Sequence, residues 1–117
     1  MMKKTICFDI DGIICVTKKN DYKNAKPKKE VVNFINQLND NYKIIIFTAR
    51  YMGRNNDKIS KAKKVGYQFT KKQLIKWGLK FHKLYFGKPS YDIYVDDKNL
   101  GHKENWLKNL KKILNKK

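Results

Sequence analysis

Four short runs of β-branched and aromatic residues, separated by segments of helical periodicity, constrain the fold of this chain more than any other feature. The runs occupy residues 5–10 (TICFDI), 43–48 (KIIIFT), 81–86 (FHKLYF) and 92–95 (DIYV). Such composition is typical of buried strands. Because strands that alternate with helices form parallel βαβ units, the pattern predicts an α/β fold, a three-layer sandwich around a mainly parallel, Rossmann-like sheet.

Helical periodicity occurs in three places along the chain. The first predicted helix opens at Pro27, a residue suited to the first turn of a helix, and ends at the polar cluster 39–41. The second is capped by Thr70 and stopped by Gly78. The third begins near Lys103, and we expect its apolar stripe to dock on the core rather than on a membrane.

The composition predicts one globular domain that comprises residues 1–117. An apolar share of 41% argues against disorder, and a chain of 117 residues is long enough for one hydrophobic core. No apolar run could span a bilayer, and Asp9 comes too early for a signal peptide, so we expect a cytoplasmic protein without membrane insertion. We interpret Cys7 and Cys15 as reduced, small core residues.

The net charge of +18 is compatible with a nucleic acid, an acidic lipid or an anionic substrate as partner. Of the 28 basic residues, however, only Arg50 and Arg54 are arginine, and the lysines are spread along the chain. Nucleic-acid-binding proteins usually concentrate arginine and lysine on one face. We therefore favour a compositional bias that solvates the surface, with an electrostatic role as the alternative.

The few acidic residues are placed more selectively than the basic ones. Four of the ten lie in two pairs, Asp9 with Asp11 and Asp96 with Asp97, each at the end of an apolar run. Residues i and i+2 of an extended segment point the same way, so Asp9 and Asp11 should face one crevice. Gathered carboxylates repel each other unless a cation joins them, and oxygen ligands suit Mg²⁺.

Thr48, Arg50 and Lys88 follow the other predicted strands. In open α/β sheets ligands bind beyond the carboxyl ends of the strands. The hydroxyl of Thr48, the planar guanidinium of Arg50 and the compact charge of Lys88 are groups that suit a phosphate. One aspartate of the first pair could attack phosphorus to form an aspartyl phosphate, while the other transfers protons. Each feature alone is compatible with an ordinary turn, strand or cap, but together they predict a phosphoryl-transfer site.

The motifs FDIDG, FTAR, GKP and YVDDK occur in the order found in the haloacid dehalogenase-like (HAD) phosphatase superfamily, which this chain resembles. The resemblance implies that Asp9 is the nucleophile and Asp11 the general acid and base. It also implies phosphate-binding residues, Thr48, Ala49 and Lys88, and ligands of Mg²⁺, Asp9, Asp11, Asp96 and Asp97. Phosphate esters are favoured as substrates over halides, because members that cleave carbon–halogen bonds lack a carboxylate at the position of Asp11.

Two features depart from the more common pattern of the superfamily. Many relatives have a threonine where this chain has Ile13, so a hydroxyl that would brace the loop is missing. The gaps between motifs are also too short for a cap domain, so the resemblance implies a capless member. Substrate selection would then depend on the polar connections 17–26 and 51–69, or on a neighbouring subunit of a homo-oligomer.

The phrases NDYKNAKP, TARYM and YFGKPSYDIYVDDK resemble a smaller group, the capsular polysaccharide biosynthesis phosphatases. This resemblance implies a small phosphorylated metabolite as substrate, a sugar, polyol or amino-alcohol phosphate. Candidate substrate contacts are Asp21, Tyr22, Asn24, Arg50 and Arg54, with loop packing as the alternative for Tyr22 and Asn24. Two other functions remain open: a phosphatase of nucleic-acid ends, which the spread of the lysines disfavours, and a non-catalytic module that binds polyanions.

Overall fold

A computed structural model of the chain describes residues 4–89, 93, 100–101 and 104–115. Its elements follow in the order β1 (Lys4–Phe8), β2 (Cys15–Val16), β3 (Lys26–Pro27), α1 (Lys29–Leu38), β4 (Tyr42–Thr48), α2 (Ile59–Lys76), β5 (Lys83–Phe86) and α3 (Trp106–Asn115). Strands β1, β4 and β5 form a parallel sheet in that spatial order, and β2 pairs with β3 in an antiparallel ribbon. The predicted α/β class with a mainly parallel, Rossmann-like sheet is confirmed.

Strand β4 lies at the centre of this sheet because its alternate side chains are apolar and buried. Ile44, Ile46 and Thr48 are fully buried on one face. Phe8 of β1 pairs with Ile46, and Thr48 pairs with Phe86 of β5. The residues that follow β1, β4 and β5 therefore start from one edge of the sheet. The predicted strand at 92–95 lies outside the described residues, except for Ile93, as do Asp96 and Asp97.

Helix α1 begins two residues later than the sequence predicts. Pro27 belongs to β3, where it pairs with Cys15, and the helix starts at Lys29 after an extended Lys28. The backbone N–H of Lys28 donates to the carbonyl of Ile14 at 2.7 Å, which holds this segment against the preceding loop. The φ angle of proline suits an extended segment as well as a first helical turn, so Pro27 alone did not decide between them. The predicted end near residue 39 is confirmed.

Helix α2 is longer than predicted, because it begins at Ile59 and not at Thr70. Thr70 is fully buried in the helix interior, so the prediction that it caps the helix was wrong, as was the interpretation of 51–69 as one loop. The first half of the helix buries only small residues, Ala62 and Gly66, and its apolar periodicity is therefore weak. The predicted stop is confirmed, since Gly78 follows the helix with φ +80°.

The predictions for the third helix and for the cysteines have different outcomes. Helix α3 buries Trp106 and packs Leu107 and Leu110 against the core, as expected for docking. Cys15 is buried as predicted, whereas Cys7 is exposed because it lies on the face of β1 opposite the buried Phe8. Within the described ranges, no helix combines the length and the apolar character that crossing a bilayer requires.

Candidate active site

A cavity of about 210 Å³ opens at the edge of the sheet where β1 and β4 end. Its walls come from two segments, which we call the first connection (residues 9–28, between β1 and α1) and the second connection (residues 49–58, between β4 and α2). The first connection contributes Asp9, Asp11, Asn20 and Tyr22, and the second contributes Ala49, Arg50, Tyr51, Gly53 and Arg54. Both aspartates thus face one crevice, as their spacing predicts.

Asp9 directly follows β1, and its carboxylate is partly open to the cavity. Its Oδ1 accepts the backbone N–H of Ile10 at 2.8 Å, and its Oδ2 accepts from Lys88 Nζ at 3.2 Å. Burial raises the pKa of Asp9, while the charge of Lys88 and the Ile10 N–H act in the opposite direction. The negative charge on Asp9 is therefore only partly compensated by the protein.

Asp11 is held much more firmly than Asp9. Arg50 donates from Nε to Oδ2 and from Nη2 to Oδ1, both at 2.9 Å, in the fork geometry of a bidentate pair. The hydroxyl of Thr17 donates to Oδ1 at 2.5 Å. These bonds fix the plane of the carboxylate and leave acceptor capacity mainly on Oδ2.

Thr17 is a site residue that sequence reasoning missed. It lies six positions after Asp11 in a polar connection, and nothing in its neighbours marks it. The turn after β1 brings it back, because the N–H of Ile14 donates to the Ile10 carbonyl at 2.8 Å and Gly12 adopts φ +87°. Ile13 packs against the core. In this loop a hydroxyl from Thr17, and not one from position 13, therefore contacts the carboxylate of Asp11.

Arg50 is buried, and each of its three guanidinium nitrogens donates a hydrogen bond. It is 1% exposed, and its Nη1 donates to Gln73 Oε1 at 2.7 Å, while its guanidinium lies 4.6 Å from the centroid of the Tyr22 ring. Gln73, on α2, donates in turn from Nε2 to the Tyr22 carbonyl at 2.7 Å. Arg50 lines the cavity, as a substrate contact would, but its donors already serve Asp11 and Gln73. Gln73 carried no signal in the sequence, because it lies inside a helix.

The aromatic wall of the cavity is built around Tyr51. This residue has φ +67°, a left-handed conformation that is strained for a tyrosine. Its ring meets that of Tyr22 edge to face, with centroids 4.9 Å apart, and lies against Gly66 of α2, where a Cβ atom would overlap the ring. Arg54 is exposed and lies over both rings, 5.6 Å from the Tyr22 centroid and 5.1 Å from the Tyr51 centroid.

The three predicted phosphate-binding residues occupy different positions relative to the cavity. Thr48 is fully buried, and its Oγ1 accepts the Arg50 backbone N–H at 3.1 Å, so it braces the turn after β4 and does not line the cavity. Ala49 does line it. Lys88 is tied to β4 by its backbone N–H, which donates to the Thr48 carbonyl at 3.2 Å, and its ammonium group reaches Asp9.

Two predicted substrate contacts in the first connection lie outside the cavity wall. Asn24 donates from Nδ2 to Asp21 Oδ2 at 2.8 Å on the exposed side of the connection. Asn20, which sequence reasoning missed, lines the cavity instead and has φ +63°. Asparagine tolerates the left-handed conformation better than most residues, and this is the only local signal that it carried.

The residues that would hold Mg²⁺ are only partly within the described chain. Among residues 4–89, 93, 100–101 and 104–115, no three or more histidine, cysteine or acidic side chains converge. Asp96 and Asp97 lie outside these ranges. Asp9 fits a cation, because its charge is only partly compensated. Asp11 fits less well as a direct carboxylate ligand, because both of its oxygens already accept from Arg50.

Comparison with known proteins supports the fold. The chain is similar to the crystal structure of an MCSG target from Vibrio cholerae, with a TM-score of 0.82 and 24% sequence identity over 95% of this chain and 94% of that one. At this identity the likeness shows the fold alone. No protein-family model and no curated protein matches the sequence.

Proposed function

We propose that this chain is a capless, HAD-type phosphatase, an Mg²⁺-dependent hydrolase of phosphate monoesters that acts through an aspartyl-phosphate intermediate. The observation that carries the proposal is the contrast between two carboxylates in one cavity. Asp9 is partly open and undercompensated, whereas Asp11 is clamped by Arg50 and Thr17. Nucleophilic catalysis needs one group free to attack and a second group fixed to transfer protons.

In this proposal Asp9 attacks the phosphorus atom through a carboxylate oxygen, and the ester oxygen leaves. Lys88 lies against the same carboxylate and would pair with the oxygens of the phosphate as they enter. Asp11 gives a proton to the leaving oxygen and later takes one from the water that hydrolyses the aspartyl phosphate. Oδ2 is the atom suited to this role, because Oδ1 already accepts from both Arg50 and Thr17.

The proposed cofactor would be held by Asp9, together with Asp96 and Asp97 as the resemblance implies. When bound, Mg²⁺ would supply positive charge that draws the phosphate towards Asp9 and stabilises the negative charge of the transition state. Asp11 would contribute proton transfer rather than carboxylate ligation, given its engagement with Arg50.

A small substrate is favoured by the size of the cavity. Its volume of about 210 Å³ is below the range of about 300–1,000 Å³ that is usual for drug-sized ligands. This fits a sugar, polyol or amino-alcohol phosphate for a capsular polysaccharide, made in the cytoplasm, where the thiols of Cys7 and Cys15 would stay reduced. Nucleic-acid ends are the alternative substrate, and a non-catalytic polyanion-binding module is the alternative function.

The decisive experiment is phosphate release from an aryl phosphate in the presence of Mg²⁺. We expect Asp9→Asn to lower kcat by at least about 1,000-fold, since an amide cannot form the aspartyl phosphate. Asp40→Asn makes the same chemical change at an exposed aspartate away from the cavity and should keep the wild-type rate. Full activity in Asp9→Asn would exclude Asp9 as the nucleophile.

A substrate panel distinguishes the alternatives. Small polyol phosphates should be hydrolysed faster than a 5′-phosphorylated oligonucleotide at both low and high salt. A preference for the oligonucleotide that declines steeply with salt would favour a phosphatase of nucleic-acid ends. Tight oligonucleotide binding without turnover of any ester would favour the non-catalytic module.

A further inference from the structure

Arg54 differs in its charge balance from Arg50 and Lys88, the two cations that contact the aspartates of the cavity. Arg50 forms an ion pair with Asp11, and Lys88 forms one with Asp9. Arg54 also lines the cavity, yet it makes no ion pair with any residue in the described part of the chain. A guanidinium with free donors at the wall of a cavity is a ready site for a carboxylate or phosphate group.

The position of Arg54 is built by the fold rather than left to a flexible side chain. Its guanidinium lies over the rings of Tyr22 and Tyr51, which restricts it through two cation–π contacts. The backbone beneath it is a tight turn, in which the N–H groups of Asn55 and Asp57 both donate to the Met52 carbonyl, at 3.1 and 2.7 Å. Met52 itself is buried, so the turn is anchored in the core.

The aromatic support is also specified from α2. The Tyr51 ring can lie against the helix only because residue 66 is glycine, since a Cβ at that position would overlap the ring. The side-chain amide of Asn55 donates to the Tyr51 carbonyl at 2.7 Å and holds the left-handed backbone. A strained tyrosine kept in place by a helix glycine and an asparagine positions a cation at this wall.

Arg54 and Asp9 line the same cavity from different segments and with different partners. Asp9 directly follows β1, and its carboxylate accepts from Lys88 at 3.2 Å, whereas Arg54 belongs to the second connection and lies over the rings of Tyr22 and Tyr51. The cavity therefore has an acidic end at Asp9, with Lys88 beside it, and a cationic wall at Arg54.

We infer that Arg54 binds a second anionic group of the substrate, so that the substrate class is a small phosphate monoester that also carries a carboxylate or a second phosphate. The geometry that carries this inference is a guanidinium that forms no ion pair with any described residue, lies over two aromatic rings and lines the cavity that holds Asp9. The inference rests on the proposed phosphatase function for its account of the first phosphate. It narrows the expected substrates to acidic members of the sugar and polyol phosphates.

The test compares glycerol 3-phosphate with two esters that each differ from it in one group. In 3-phosphoglycerate a carboxylate replaces the terminal CH₂OH, and in glycerol 1,3-bisphosphate a second phosphate esterifies it. We expect the wild-type protein to prefer one of the two esters that carry a second anionic group over glycerol 3-phosphate in kcat/KM. Arg54→Ala should reduce that preference by about 10- to 100-fold, the range expected for one charge-assisted, bidentate interaction. The preference of Arg54→Lys should lie between those of the wild-type protein and Arg54→Ala, because lysine keeps the positive charge but lacks the planar guanidinium that binds in a bidentate way.

A control variant separates local binding from overall charge. Lys63→Ala removes one positive charge from an exposed position on α2, away from the cavity, and should leave the preference unchanged. An equal loss of preference in Lys63→Ala and Arg54→Ala would overturn the inference, since it would reflect only the field of a +18 protein. An unchanged preference in Arg54→Ala would overturn it as well.

A binding measurement keeps this result distinct from failure of the phosphatase proposal. Calorimetry on the Asp9→Asn variant compares the affinity for 3-phosphoglycerate and for the bisphosphate with that for glycerol 3-phosphate, without any need for turnover. If no ester is hydrolysed by the wild-type protein but the affinity difference exists and is lost with Arg54→Ala, the phosphatase proposal fails and the anion site stands. If esters are hydrolysed and no affinity difference exists, the anion site fails and the phosphatase proposal stands.

Discussion

The first connection and the second connection meet over one cavity, but they contribute opposite chemistry. The first supplies both carboxylates and the hydroxyl of Thr17, whereas the second lines the cavity with two arginines and a tyrosine and with no acid. Every strong contact of Asp11 with a positive charge comes from the second connection. The carboxylates proposed to react therefore lie on the first connection, and the arginines that orient Asp11 or would bind the substrate lie on the second.

The two arginines of the second connection divide these tasks between them. Arg50 is buried and paired with Asp11, whereas Arg54 is exposed and, within the part of the chain that the structure describes, contacts the two aromatic rings of Tyr22 and Tyr51. The sequence suggested the same role for both, as substrate contacts. Burial distinguishes the two roles, because a guanidinium that is removed from water must be paired, whereas a guanidinium at the surface is hydrated and remains able to bind a ligand.

The largest effect is expected from Arg50→Ala, which breaks the contact between the two connections. Removing one partner of a buried ion pair leaves Asp11 without its fork and Gln73 without its donor, so we expect a loss of about 3 kcal/mol in the free energy of unfolding. Phosphatase activity should fall as well. Urea denaturation and phosphate release measure the two effects.

Arg54→Ala is the matched control, since it removes the same side chain four residues later at an exposed site. It should cost less than about 1 kcal/mol, the scale of an exposed cation–π contact. Equal destabilisation by the two variants would contradict the distinction between a buried orienting arginine and an exposed binding arginine.

Gly66→Ala, a change on α2 that acts on the second connection, is expected to destabilise the protein less than Arg50→Ala does. The added methyl group overlaps the Tyr51 ring, so the ring or the helix must move, at a cost of about 1–3 kcal/mol. Thermal unfolding measures this cost. Gly101→Ala is the control, because nothing lies within 4 Å of a Cβ at that position. If Gly66→Ala matched Gly101→Ala in stability, the packing of Tyr51 against α2 would be of no consequence.

The smallest effect is expected from Asp9→Asn in the metal-free protein, and Asp11→Asn is the contrasting variant. Asp11→Asn should lower the melting temperature, because it breaks the pair with Arg50. Asp9→Asn should raise it slightly at pH 7, because burial raises the pKa of Asp9 and the charged form therefore costs stability.

The raised pKa of Asp9 also determines how the stabilisation by Asp9→Asn depends on pH. A raised pKa means that the folded state holds the proton more tightly than the unfolded state. The cost of the Asp9 charge is therefore fully present above the raised pKa and absent below the ordinary value for aspartate, about 3.9. Melting curves in EDTA from pH 3 to pH 7 should show the advantage of Asp9→Asn growing with pH. An advantage that shrinks as pH rises would contradict the assignment.

Much of the architecture that positions the cavity could be predicted from local sequence. The strands at 43–48 and 81–86 were found from their β-branched and aromatic residues, and the convergence of Asp9 with Lys88 followed from parallel topology. The start of α2 at Ile59 could not be found, because its first turns carry lysines and bury only Ala62 and Gly66. A helix with weak apolar periodicity cannot be identified from sequence, because its stability comes mainly from tertiary packing.

Residue type and the two-residue period of a strand were enough to predict the three parallel strands β1, β4 and β5 and the common crevice of Asp9 and Asp11. They did not predict the short antiparallel pair of β2 and β3. The hydrogen bonds of Thr17 to Asp11 and of Arg50 to Gln73 depend on tertiary structure. Arg50 and Gln73 are 23 positions apart, and no local pattern relates them. Hydrogen-bond partners are chosen by which polar groups burial brings together, and that choice depends on the packing of the whole chain.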